Sequence, residues 1–156
     1  MLKIMLSAVC VLAAASPVSA GVRAADIAGR WQGESYANEG GATLTLDIVA
    51  CGAGWCGIKV GAGDACGGTA LKVDAGAPEG ENVLFVGTLE LAHGTEPYTV
   101  HTTLMPASED SPIALQITGD TGGQFRVFRR SFPFEAHMAR TREAVCRVPQ
   151  TVSSLP

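Results

Sequence analysis

The chain has 156 residues, with 11 basic and 15 acidic side chains and a formal net charge of −4 at neutral pH. That balance excludes a general nucleic-acid binder, whose domain is expected to be basic. A membrane-spanning helix takes about 20 consecutive apolar residues, and no run here reaches that length, which excludes an integral helical membrane protein.

In chain order, residues 1–20 read as a secretory signal: Lys3 gives a positive start, Ile4 to Ala15 are nearly all apolar, and Val18-Ser19-Ala20 supplies a small-x-small cleavage site. Cleavage after Ala20 is expected to leave a mature chain that is periplasmic or secreted. Residues 21–147 are then expected to form a single domain, and 148–156 a loose tail. Glycine clusters at Gly40-Gly41, Gly52 to Gly57, Gly61 to Gly68 and Gly122-Gly123, and these clusters punctuate short runs that alternate apolar and polar residues. Such alternation is the signature of half-buried strands. Leu44, Leu46 and Ile48 alternate with Thr43, Thr45 and Asp47. Val83, Phe85, Gly87, Leu89 and Leu91 make a longer face of period two. Tyr98, Val100, Thr102 and Leu104 share one face while His101, Thr103 and Met105 take the other, and Ile113, Leu115 and Ile117 form a further set. Asp120-Thr121-Gly122-Gly123 reads as a hairpin turn, since glycine supplies the positive φ a tight turn needs. After Ser131, a helix reaching Val145 competes with a strand over 134–142. Phe132, Phe134, Ala136 and Met138 fall on one face at spacing two, with Glu135 and His137 on the other, which favours the strand. The sum is an all-β fold, an antiparallel up-and-down barrel of eight or nine strands. Closure removes the edges that an exported β domain must otherwise protect.

Cys10 leaves with the signal, and four cysteines remain: Cys51, Cys56, Cys66 and Cys146. An even count in an exported chain points to two disulfides, with three connectivities open. The Cys51/Cys56 spacing is not that of a zinc ribbon, and His93, His101 and His137 are scattered, so no metal and no cofactor are expected. No nucleophile elbow, H-E-x-x-H, phosphate loop or dinucleotide fingerprint occurs. Asp47, Asp64 and Asp74 with His93 or His101 assemble into a triad only on paper, and the expectation is no enzyme. Charge is uneven: residues 121–147 carry Arg126, Arg129, Arg130, Arg140, Arg142 and Arg147 against Glu135 and Glu143, whereas residues 21–120 are strongly acidic. Internal pairing between the basic last strands and acidic early ones explains this more simply than an anionic partner does.

Gly29-Arg30-Trp31 resembles the opening motif of lipocalins and related calycins. The resemblance implies a tryptophan that plugs the closed end of the barrel, with an arginine from the last strand lying across it. Arg140 and Arg142 are candidates for that arginine. Arg140 is preferred because it shares the face of Ala136 and Met138, and a guanidinium over an indole contributes about 0.5–2 kcal/mol. Further along, Leu44-Thr45-Leu46-Asp47-Ile48, the run Cys51-Gly52-Ala53-Gly54-Trp55-Cys56-Gly57-Ile58, Val86-Gly87-Thr88-Leu89 before Gly94 and Tyr98, and Leu115-Gln116-Ile117-Thr118-Gly119 follow in the order seen in a family of small exported bacterial proteins. That family is known as a lipocalin-like domain of unknown function, and the resemblance spans about residues 26–142. Cys66 and Cys146, and Phe85 near where a tryptophan is commoner, depart from its pattern. The resemblance implies fold and compartment without an activity, and suggests Cys51–Cys56 with Cys66–Cys146. Strand parity partly disagrees, since Cys56 shares the face of Ile58 whereas Cys51 is off the Leu46–Ile48 face. Cys56–Cys66 with Cys51–Cys146 is therefore the alternative pairing.

Two functions are expected from this fold. The first is non-catalytic binding of a small apolar or amphipathic ligand among the inward faces of Leu44, Leu46, Ile48, Phe85, Leu89, Val100 and Leu115, since an eight-stranded barrel is just wide enough for one small ligand or for its own side chains. The second is an envelope-associated interaction or inhibitor protein with a filled barrel, acting through its outer surface and the stretch Phe125 to Phe134.

Overall fold

The computed structural model describes residues 21–37, 40–122 and 132–148. The signal reading, Arg126, Arg129 and Arg130, most of the Phe125-to-Phe134 stretch and the tail beyond Val148 lie outside these residues. A short 3-10 turn, Ala24–Ile27, leads into β1 (Gly29–Ala37), β2 (Gly40–Cys51) and β3 (Gly54–Val60). A second turn, Ala62–Asp64, precedes β4 (Cys66–Val73), β5 (Ala77–Glu79), β6 (Asn82–Leu89), β7 (Tyr98–Met105), β8 (Ala114–Asp120) and β9 (Pro133–Arg142). Every strand pairing is antiparallel. β1 pairs with both β2 and β9, and β4 reaches β6 through Leu71↔Leu89 and Val73↔Gly87. Eight strands therefore close into an up-and-down barrel, and β5 is an extra strand hung on β6 by Ala77↔Leu84. Two disulfides complete it, Cys51–Cys56 and Cys66–Cys146.

Alternation explains the barrel. Opposed residues of an antiparallel pair point to the same side. Trp31↔Leu46, Leu115↔Met138 and Gly87↔Val100 therefore set one inward face from β1 round to β9. The seven residues expected inside, Leu44, Leu46, Ile48, Phe85, Leu89, Val100 and Leu115, are all in the single core, joined by Ile27, Trp31, Leu71, Leu104, Ile117 and Phe134. Among them Leu46, Ile48, Phe85, Leu89, Val100 and Leu115 are 0 % exposed, so no water-sized space adjoins them. At Gly33 a Cβ would stand 1.8 Å from the His137 carbonyl oxygen, so β1 and β9 leave no room for a side chain there. The outward positions are polar: Gln32, Glu34, Lys72, His101, Gln116, Glu135 and His137 are exposed or half-buried. This is the reverse of a membrane-spanning barrel, which is apolar outside and polar within. Among the described residues no helix is long and apolar enough to cross a membrane.

The strand reading of 134–142 holds almost to the residue, because Phe134, Ala136 and Met138 all enter the core. The tight hairpin at residues 120–123 does not form as expected. The Asp120 carboxylate accepts a bond from the Gly122 N–H at 2.7 Å and Gly122 has φ 71°, so the chain turns there. Asp120 is paired instead with Pro133. The local turn chemistry ends β8 without setting the length of the connection.

Candidate functional site

Gly29, Trp31 and Arg140 meet at the end of the barrel that the first 3-10 turn covers. Trp31 is fully buried and donates its indole N–H to the Ile27 carbonyl at 2.8 Å. Arg140 is its cross-strand partner on β9. The Arg140 guanidinium lies over Gly29, whose φ is 141° and where a Cβ would stand 2.6 Å from Nε, and it donates to Glu143 at 2.9 Å. Glycine is needed at 29 on both counts.

A second polar site stands on the outer wall, and the register of the last strand builds it. Trp31 opposes Arg140, but Arg30 opposes Arg142, so Thr141 is an extra residue in β9. A bulge of this kind re-aims the side chains that follow it. Here it moves Arg142 off the inward parity of Arg140 and sets it beside Arg30, while the Thr141 hydroxyl donates to the Arg30 carbonyl at 3.3 Å. Arg30 is itself opposed by Asp47 of β2. Its Nε and Nη2 donate to the two Asp47 oxygens at 2.6 and 2.8 Å, a bidentate pair between side chains 4 % and 0 % exposed.

The segment after β9 turns back over this pair. The backbone N–H groups of Val145 and Cys146 donate to Asp47 Oδ2 at 2.9 and 2.7 Å, and Cys146 is bonded to Cys66 at the start of β4. Ile58 shares the outward face with Asp47, its partner in register, yet it is fully buried. Cys51 and Cys56 are both outward by the same parity, since Cys56 opposes Val49, two residues before Cys51. The apparent conflict in their parity came from taking the apolar Ile58 as an inward marker.

On the other side of the Arg30 guanidinium, Nη1 donates to Asp64 of the second 3-10 turn. Arg142 Nη2 donates to both Asp64 oxygens at 2.6 Å. Asp64 is thus clasped by two guanidinium groups, although its side chain is 53 % exposed. At φ 62° it is the only non-glycine residue with a positive φ among the described ones. Beside it lies an open groove of about 440 Å³, lined by Arg30, Gln32, Thr45, Asp64, Thr141 and Arg142 together with the backbone of Gly61 and Gly63.

Electrostatics follow from these contacts. Burial works to raise the Asp47 pKa, but the Arg30 pair and the two strap N–H groups outweigh it and hold the carboxyl at about 2. Asp64 is lowered as well, by Arg142 first and then Arg30. Arg30 is raised further above its ordinary value, chiefly by its bonds to Asp47. These carboxylates are fixed in the charged state, which unfits them for proton transfer near neutral pH.

The other residues considered for chemistry are not brought together. Asp74 caps the turn before β6, accepting from Gly76 and Val86 N–H at 3.0 and 3.2 Å. His93 stands fully exposed beyond β6, and His101 is on the outer face of β7. Sequence reasoning missed the outer-wall cluster. Its signal was indirect: Cys66 and Cys146, the two cysteines outside the family pattern, follow Asp64 and Arg142 within a few residues. No family model, curated protein or solved structure matches the chain.

Proposed function

We propose that the protein is an exported, non-catalytic binding barrel of lipocalin-like character that meets its partner on the outer wall and keeps its interior as a structural core. The observation that carries this reading is the closure of the interior around Leu46, Ile48, Phe85, Leu89, Val100 and Leu115. An internal ligand site needs a few hundred cubic ångströms, and the ligand expected there would have to displace these side chains. The outer wall, by contrast, offers an open groove lined by donors and acceptors. Export is supported by two disulfides, which persist in oxidising compartments. A non-catalytic role is supported by Asp47, Asp64 and Asp74, each already occupied in a structural contact.

Native mass spectrometry of the mature protein from a periplasm, together with titration of an apolar fluorophore, tests the reading. The expected result is a bare mass, four hydrogens short for two disulfides, and no fluorophore uptake. An added mass that leaves on denaturation, or saturable uptake blocked by widening Leu46 or Val100 to Phe, would restore the internal-ligand reading.

A further inference from the structure

We propose that the groove is a carboxylate-binding site and that Asp64 is its built-in occupant, resting where the carboxylate of an external ligand sits. The inference rests on the outer-wall reading above and names the ligand chemistry of that site. A guanidinium fork matches a carboxylate in plane and spacing. Two of them converge here. Arg30 is held by its buried bidentate pair with Asp47, which directs Nη1 toward Asp64. Arg142, half-exposed, supplies the second donor from the far side. The carboxylate between them does not come from a regular element that would have put it there anyway. It comes from the short turn Ala62–Asp64, preceded by Gly61 and containing Gly63, and Asp64 itself takes a left-handed backbone conformation.

Displacing Asp64 costs little elsewhere. Asp47 alone keeps the buried charge of Arg30 paired, and the Cys66–Cys146 bond keeps β4 and the strap in place when the turn moves. The groove beside the clasp gives the rest of the ligand Gln32, Thr45 and Thr141 as hydrogen-bonding groups, with Val60 the one branched aliphatic side chain in its lining. The ligand is therefore a polar molecule with a carboxylate head, either a small acid or the free C-terminus of a peptide. Asp64 sets its threshold, since an intramolecular carboxylate competes at the high effective concentration of a short tether.

Asp64→Gly removes the occupant and keeps the backbone, because glycine accepts φ 62° without strain. Isothermal titration of the wild-type and Asp64→Gly proteins uses three probes: acetate, a polar tripeptide with a free C-terminus, and the same tripeptide amidated. The variant is expected to bind at least ten-fold more tightly than wild type to acetate and to the free-acid peptide, and not to the amide. Equal affinity for the two acids assigns small acids as the source, and tighter peptide binding assigns chain termini. Adding Arg142→Gln to Asp64→Gly should abolish the gain. No gain in Asp64→Gly, a gain that survives Arg142→Gln, or equal binding of the amide would each overturn the proposal. Thermal unfolding identifies a variant that fails to fold, and Asp64→Asn, which removes the charge and tolerates the same backbone, then takes its place. Interior filling is read by the fluorophore assay on wild type, so either idea can fail while the other stands.

Discussion

Cutting the two disulfides separately should cost very different amounts of stability, because they restrain the unfolded chain over very different lengths. Cys66 and Cys146 are 80 residues apart and Cys51 and Cys56 only 5. With loop-closure entropy growing as the logarithm of loop length, the long bridge contributes about 4.5 kcal/mol and the short one about 2 kcal/mol. The paired replacement Cys66→Ser with Cys146→Ser also frees the strap, loosening the Val145 and Cys146 bonds to Asp47. Its measured loss should therefore meet or exceed the entropic figure. Cys51→Ser with Cys56→Ser joins neighbouring positions of one hairpin and disturbs no buried polar group that the structure records. Equilibrium unfolding in urea, followed by the fluorescence of the buried Trp31, reads both, with stability taken from linear extrapolation. A gap of at least about 2 kcal/mol between the two paired variants is expected. Equal losses, or a larger loss from the short bridge, would refute both the restraint calculation and the part given to the strap.

Three further outcomes are expected. Asp47→Ala should destabilise by about 3–5 kcal/mol in the same unfolding assay, since it leaves the Arg30 guanidinium buried without its bidentate partner. Asp47→Asn, which keeps an acceptor for the strap, should cost less, and losses below about 1 kcal/mol for both would remove Asp47 from the account. Stability should also fall in acid. Because the folded Asp47 pKa lies at about 2 against an ordinary 3.8, its contribution of about 2 kcal/mol is complete above pH 5 and disappears as the pH drops from about 4 to 2. Asp64 acts in the same direction, and a stability profile flat from pH 5 to 2 would contradict both. Finally, Gly33→Ala should cost about 1–3 kcal/mol by forcing β1 from β9, whereas Gly68→Ala, where a Cβ meets nothing within 4 Å, should be neutral. A harmless Gly33→Ala in a melting experiment would show that the seam between these strands yields.

How much of this was legible in the sequence depended on whether the chemistry was local. The inward faces of β2, β6, β7, β8 and β9 could be read from alternation alone, because burial on one side of a strand forces a period of two. The same rule misled at Ile58, an outward position that is nonetheless buried, and it gave no hint of β5, three exposed residues including Pro78. The turn at Asp120 was legible, but the point where β9 resumes was not, since that is set by pairing with β1 and β8. The outer-wall site was hidden for a related reason. Arg30, Asp47, Asp64 and Arg142 each look like ordinary outward charges in their own strands or turn. They become a cluster only through the β1–β2 register, the bulge at Thr141 and the bond between Cys66 and Cys146. The idea that basic final strands pair with acidic early ones anticipated the principle without the partners.

The position of the clasp across the seam between β1 and β9 has a consequence in time. Arg30 lies on the first strand, Arg142 on the last, and the strap begins where β9 ends. Joining them means closing the longest loop in the molecule, a step that non-local pairing makes slow. A chain cut before Arg142 lacks one of the two guanidinium groups and so the finished clasp. The clasp therefore exists only once the first and last strands of the barrel have met.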